Sequence, residues 1–286
     1  MKLITLVMFF LVFPLSADAG VLIKVDPEFP IQGEPISITL IGANSTTTIS
    51  SATIGKQKLN FFVYDNKIMA LHGIDLGAKV GTSTITIKLK NGESLTKELV
   101  VNKRPTVEAH IDIPQKLGGN TPQAAKKLVT NLIDEQAIVT KITSVVRPKA
   151  FWKEKFVLPV KNPVVTDTYG YSRNTVGYQI AHKGLDFRAK VGDEVYSINR
   201  GVVRDVKVYP TFGRTIIVDH GFGLYSMYLH LSKARVVVGQ LVLPGQLIGL
   251  AGDSGYTTGP HLHLTIRVGG VSIDPQAFYK LFGVNI

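Results

Sequence analysis

Between Val21 and Val101 apolar and polar residues alternate in short runs, ISITLIG, SATIGKQKLNFFVY, TSTITIKLK and LTKELVV among them. Asp65-Asn66 and Asn91-Gly92 fall between these stretches. Alternation with period two sends one side of a run inward and the other to water, so the pattern predicts strands joined by tight turns. Pro27, Pro30 and Pro35 interrupt the entry to the region, as edge strands and turns allow. The prediction is an all-β sandwich of immunoglobulin-like type.

The pattern changes after Asn102-Lys103-Arg104-Pro105. In GGNTPQAAKKLVTNLIDEQAIVTKI the spacing becomes helical, with Thr121 as N-cap, Pro122 at the first helical position, and Leu128, Leu132 and Ile133 as the apolar stripe. From Phe156 β-type patterning returns and continues to the end. The expected class is therefore mostly β. Its expected parts are a signal peptide over residues 1–19, an immunoglobulin-like β domain over 20–104, a linker with a helix over 105–155, and a C-terminal antiparallel β domain over 156–286.

Composition sharpens this picture. A hydrophobic content of 45% suits packed cores. MKLITLVMFFLVFPLSADAG has a basic start, a short apolar run and the small-x-small site Ala17-Asp18-Ala19, the signature of a secretory signal peptide. Export to periplasm, cell wall or medium is expected, with no integral membrane segment after signal cleavage. Cleavage after Ala19 removes Lys2 and Asp18 and leaves the net charge at +11. The sequence has 0 cysteines, which excludes a disulfide, a thiol nucleophile and a Cys-ligated metal. The positive charge favours polyanions such as wall polymers or lipid head groups. Nucleic acid is not expected, because the basic residues are dispersed and no binding motif accompanies them.

Candidate chemistry concentrates in the C-terminal part. In GPHLHLTIRVGG, His261 and His263 are two residues apart on a strand-like run, so both imidazoles project to one face while Leu262 and Leu264 take the other. AHKGLDFRAK holds His182 and Asp186 around Gly184, whose backbone freedom would let the two converge. SMYLHLS adds His230 in a third strand-like run. A catalytic zinc needs three N/O ligands and an open position, and two His with one Asp supply them at a residual charge of +1. The other two imidazoles are then free to move protons or stabilise an oxyanion. His72 and His110 have no such companions and read as structural, and His220, in VDHGFG, reads as serving a turn.

HKGLD at 182–186, YLHL at 228–231 and GPHLHL at 259–264, in order and spacing, resemble the signature of the lysostaphin-type zinc metallopeptidases, the M23 or LytM-like family. The likeness spans approximately residues 160–280 and leaves the N-terminal β region outside. It implies a compact antiparallel β fold with the site in a groove, Zn2+ held by His182, Asp186 and His263, and catalysis by His230 and His261. It also implies a substrate loop with Arg173, Asn174 and Tyr178, where Tyr171 competes with Tyr178 for a supporting part. The implied activity is a zinc metalloendopeptidase acting on peptidoglycan stem peptides or cross-links through metal-activated water. Two other readings compete with it: a biotinyl- or lipoyl-type carrier sandwich, and a non-catalytic LytM-like activator of other wall hydrolases. Intramolecular regulation by the N-terminal domain, capping the site, is a further expectation.

Overall fold

The alternation of the first hundred residues becomes two antiparallel four-stranded sheets in the computed structural model, which describes residues 20–286. The signal-peptide expectation, on residues 1–19, lies outside the described residues. One sheet runs Leu22–Asp26, Pro35–Ile41, Lys67–Gly73, Phe62–Tyr64, and the other Gln57–Lys58, Ile49–Ile54, Gly81–Leu89, Ser94–Val101. Ile36, Ile38 and Leu40 point inward from the first, Ile85, Ile87 and Leu99 from the second. The run IMAL in Lys67–Gly73 does not alternate because both its faces are covered. Ile68 and Ala70 enter this sandwich core, whereas Met69 and Leu71 join a second core shared with the C-terminal half.

Trp152 sits in that second core, its ring centroid 5.2 Å from Phe62, 4.6 Å from Tyr64 and 5.4 Å from Phe156. Polar contacts reinforce the junction. The Arg104 guanidinium donates from Nη2 to Asp274 Oδ2 at 2.8 Å and from Nε to the Gln32 carbonyl at 2.7 Å.

The C-terminal half is organised by one antiparallel sheet in the order Val165–Asp167, Leu185–Arg188, His261–Val268, Leu224–Leu231, Gly213–Gly221, Gly201–Tyr209, Leu241–Val242. Its one face carries Leu185, Phe187, Tyr228, Leu262, Leu264 and Ile266 into the shared core. Its other face carries Ile217, Tyr225, Met227 and Leu229, which pack with Val139 of the long helix Pro122–Thr143.

That helix starts as its sequence predicts, with the Thr121 side chain accepting from Ala124 N and Pro122 at the first position. The stripe differs. Ala124, Leu128, Glu135 and Val139 are buried, while Ile133 is 64% exposed. At about 100° per residue Ile133 lies about 140° round the helix from Leu128, outside the buried arc that Leu132 borders. Buried Glu135 is satisfied: its carboxylate accepts from Thr211 N at 2.7 Å and Phe212 N at 3.0 Å. Among the described residues no helix is long and apolar enough to cross a membrane.

Candidate metal centre

Strand register assembles the site. Asp186 pairs directly with His263, and Leu185 and Phe187 pair with Leu264 and Leu262, so the polar residues share one face and the apolar ones the other. His182 enters from the end of the adjoining hairpin Ser172–Thr175/Tyr178–Ala181, its main-chain N–H donating to the Tyr171 carbonyl at 2.7 Å. His182 Nε2, Asp186 Oδ1 and His263 Nδ1 then lie 2.8–3.1 Å from one another. Gly184 serves this approach differently from expectation. Its φ is not positive, but a Cβ there would fall 2.3 Å from His263 Nε2. The missing side chain, not a left-handed backbone, is what the turn uses.

His230 arrives by a local irregularity. Regular alternation along Leu224–Leu231 would send it to the core face with Tyr228. Instead His230 has φ +60°, and the register against Gly213–Gly221 slips between the Ile216–Tyr228 and Arg214–Leu231 pairs, a β-bulge. The side chain is re-aimed, so its ring centroid lies 4.9 Å from His261 and 5.9 Å from His263. A left-handed non-glycine residue costs about 1–3 kcal/mol and persists only where surroundings impose it.

Hydrogen bonds fix the tautomers. His182 Nδ1 donates to the Thr168 carbonyl at 2.7 Å, His230 Nδ1 to the Ser254 carbonyl at 2.8 Å, and His261 Nδ1 to the Gly259 carbonyl at 2.9 Å. A carbonyl only accepts, so each Nδ1 carries the proton and each Nε2 presents a lone pair. For His263 the order reverses. Thr265 Oγ1 donates to the Lys183 carbonyl at 3.1 Å and therefore accepts from His263 Nε2 at 2.9 Å, leaving Nδ1 free. Burial pushes His263 down to about 4. It also pushes His230 well below the usual imidazole range, helped by the neighbouring His261 and His263. Burial would raise Asp186, but the adjoining imidazoles outweigh it and hold the carboxyl well below its ordinary value.

Three unprotonated acceptors thus crowd together in a site where none of them is more than 9% exposed. Without a cation between them this is repulsive. Zinc fits the set: bonds of about 2.0–2.1 Å in tetrahedral geometry put ligand atoms about 3.3 Å apart, and each ligating His has the outer partner that metal sites use.

The substrate-loop residues separate. Arg173 joins the site, donating from Nη2 to Asp167 Oδ2 and, at 3.3 Å, to Asp186 Oδ2. Asn174 lies in the hairpin, accepting from Gly177 N at 3.3 Å, and does not line the metal cleft. Tyr178 faces a neighbouring cavity. His220 is buried within the strand Gly213–Gly221, not in a turn, donating to the Arg200 carbonyl at 2.8 Å with Nε2 2.8 Å from Ser226 Oγ. Sequence reasoning missed Thr265, Ser254, Glu135 and Arg267, whose signal is only their place on the site's face or beside it.

The cleft has two sides. One space, of about 350 Å³, lies beside His261, Asp186 and Arg173, and a smaller one, of about 80 Å³, lies under His182, His230 and His263. The segment 108–132 borders both. Glu108–His110 extends the hairpin as a parallel strand, and Ile113, Ala124, Ala125 and Leu128 cluster with Tyr256. Lys116 Nζ reaches the Asp253 carbonyl at 2.6 Å.

Residues 180–275 match the model of peptidase family M23. The peptidoglycan DD-endopeptidase ShyA of Vibrio cholerae is 44% identical over 93 residues, 32% of this chain and 22% of its own. Lysostaphin of Staphylococcus simulans is 34% identical over 122 residues, 40% of this chain and 25% of its own. The chain thus spans about a quarter of the length of these curated relatives. A Pseudomonas aeruginosa structure assigned to peptidase M23 aligns over 88% of this chain and 96% of its own, with TM-score 0.67 at 24% identity, a likeness of fold.

Proposed function

We propose that this chain, whose residues 180–275 form a domain of peptidase family M23, is an exported zinc endopeptidase that hydrolyses peptide bonds in peptidoglycan stem peptides or cross-links. The observation that carries this reading is the convergence of three proton-free ligand atoms beside two more imidazoles, the His230 ring 4.9 Å from that of His261 and His261 Nε2 3.6 Å from Asp186 Oδ2. A non-catalytic activator would have no use for that arrangement. The substrate class follows ShyA, named a peptidoglycan DD-endopeptidase, and the net charge of +11 suits a polyanionic wall.

In this reading His182, Asp186 and His263 hold the ion. Zinc held there supplies Lewis acidity, polarising the scissile carbonyl and acidifying water. His230, buried and neutral, accepts the proton of the attacking water at Nε2. His261 lines the larger space, with Asp186 Oδ2 3.6 Å from its Nε2, and in its doubly protonated form donates from Nε2 to the developing oxyanion. Loss of one such donor costs about 2.7–4 kcal/mol, a factor of about 10²–10³ in rate. Arg173 holds the second oxygen of Asp186 and so orients the ligand.

The segment 108–132 is, in the same reading, an internal cover. Leu132 of this segment lines the smaller space under the ligands and Ile111 the larger one beside His261. Movement of the segment widens the cleft for substrate.

Elemental analysis after zinc reconstitution tests the metal site. We expect about one zinc per chain, and none in the His182→Ala/His263→Ala variant with its circular dichroism unchanged. Equal zinc in both proteins, or none in either, refutes the ligand set.

A further inference from the structure

Arg267 lies on the strand His261–Val268, four residues beyond His263. Alternation puts His261, His263, Thr265 and Arg267 on one face. The cross-strand partner of Arg267 is Tyr225, on the same face as Met227 and Leu229, which line the smaller space at the metal centre. Arg267 is 4% exposed. Its Nε and Nη2 donate to the Gly270 carbonyl, Nη2 also to Thr140 Oγ1 at 2.9 Å, and Nη1 to Gln136 Oε1 at 3.3 Å. Every partner is neutral, and among the described residues no carboxylate forms an ion pair with this guanidinium. Burying a cation is costly and pulls the group down to about 10, an effect that the charge of Asp75, in the same cavity wall, offsets only in part.

The guanidinium borders a cavity of about 620 Å³, between the long helix and the hairpin, into which Tyr178 and Gln179 also face. Arg267, Lys183, Gln136 and Ile180 line both this cavity and the smaller space under His182 and His263, so the two adjoin. The lining holds two cations, Arg267 and Lys183, against one acid, Asp75, whose Oδ1 already accepts from Gly77 N at 2.7 Å.

We propose that this cavity is a subsite of the metal centre that takes a peptide carboxylate, received by Arg267 in place of the neutral oxygens of Gln136 and Thr140. At about 3.3 Å per strand residue Arg267 lies about 13 Å along the strand from His263, several substrate residues from the scissile bond. The inference rests on the cleft being where the peptidoglycan peptide binds. Arg recognises the planar carboxylate through paired N–H donors, whereas a carboxamide presents one acceptor and no charge. In a stem peptide with lysine as its third residue, the type used below, two carboxylates have this chemistry: the C-terminal one and the α-carboxylate of γ-linked D-Glu.

Calorimetric binding of three synthetic stem tetrapeptides to the zinc-loaded chain separates the cases: the free acid, its C-terminal amide, and its D-isoglutamine form. The free acid should bind about 10–100-fold more tightly than one of the two amides, and which one identifies the carboxylate. Arg267→Gln should bring the acid down to that amide. Equal binding of acid and both amides, a preference that survives Arg267→Gln, or no binding of any peptide at millimolar concentration overturns the proposal. Should that variant not fold, the wild-type comparison decides, with the Arg267 Nε–H resonance shifting on addition of the acid and not of the discriminated amide. The readings fail separately. Acid preference without cleavage of cross-linked peptides removes the peptidase and leaves the subsite; cleavage with equal binding removes only the subsite.

Discussion

The imidazole of His230 reaches its neighbours because one residue abandons the strand conformation. A sequence reader sees SMYLHLS as a regular strand, and in a regular strand His230 would enter the apolar core beside Tyr228. The bulge and the φ of +60° are set by packing on both faces, with Leu231 retained in one core and Leu229 in the other. Asp186 and His263 needed no such device, since their register follows from apolar residues on alternate positions. The buried His220 illustrates the structural use of the same side chain. Burial lowers it from 6.5 to about 4, so between those values the unfolded chain binds more protons than the folded one. Its contribution is therefore present above pH 6.5 and lost as pH falls toward 4, up to about 3 kcal/mol. We expect His220→Gln, whatever its offset in stability, to show a flatter dependence of the urea midpoint on pH across that window. An unchanged slope would show that the group titrates alike in both states.

At the scale of elements, the long helix shows what sequence could and could not convey. Its N-cap and first-turn proline were legible because capping is local chemistry. The buried face was not, because tertiary packing chose the arc containing Glu135 and excluded Ile133; a buried glutamate has no apolar signature. The metal-ligand candidates were legible for the opposite reason, since three short motifs each carry their residues at strand or turn spacing. Arg267, Thr265 and Ser254 became visible only once the strands were paired. The packing of 108–132 beside the cleft, proposed above as a cover, is likewise tertiary, held by Ile113, which is 3% exposed. Replacing such a residue by a small polar one removes about 2–5 kcal/mol of local packing. Ile113→Ser should speed amide exchange across residues 108–121 and raise turnover of a soluble cross-linked peptide several-fold. Faster exchange with unchanged turnover would mean that the segment does not limit access.

Across the whole molecule, the N-terminal sandwich is joined to the C-terminal half through both apolar and charged contacts. Phe62, Met69 and Leu71 share a core with Trp152 and Phe278, and the Arg104–Asp274 pair closes the junction on another side. Asp274 also caps the last helix through Gln276 N at 2.9 Å, so one carboxylate serves both interfaces. The segment 108–132, which borders the cleft, lies in the connection between these two halves, which ties its position to the sandwich. The central proposal is chemical: that His182, Asp186 and His263 hold a metal beside which His230 and His261 take part in cutting peptidoglycan. The most direct measurement is mass spectrometry of fragments from purified, cross-linked peptidoglycan incubated with the zinc-loaded chain, alongside His182→Ala. The account predicts that cross-linked dimers give way to monomers bearing new amino termini, and that His182→Ala leaves the dimers intact. Dimers that persist at full zinc occupancy, with the cover released by Ile113→Ser, would contradict it.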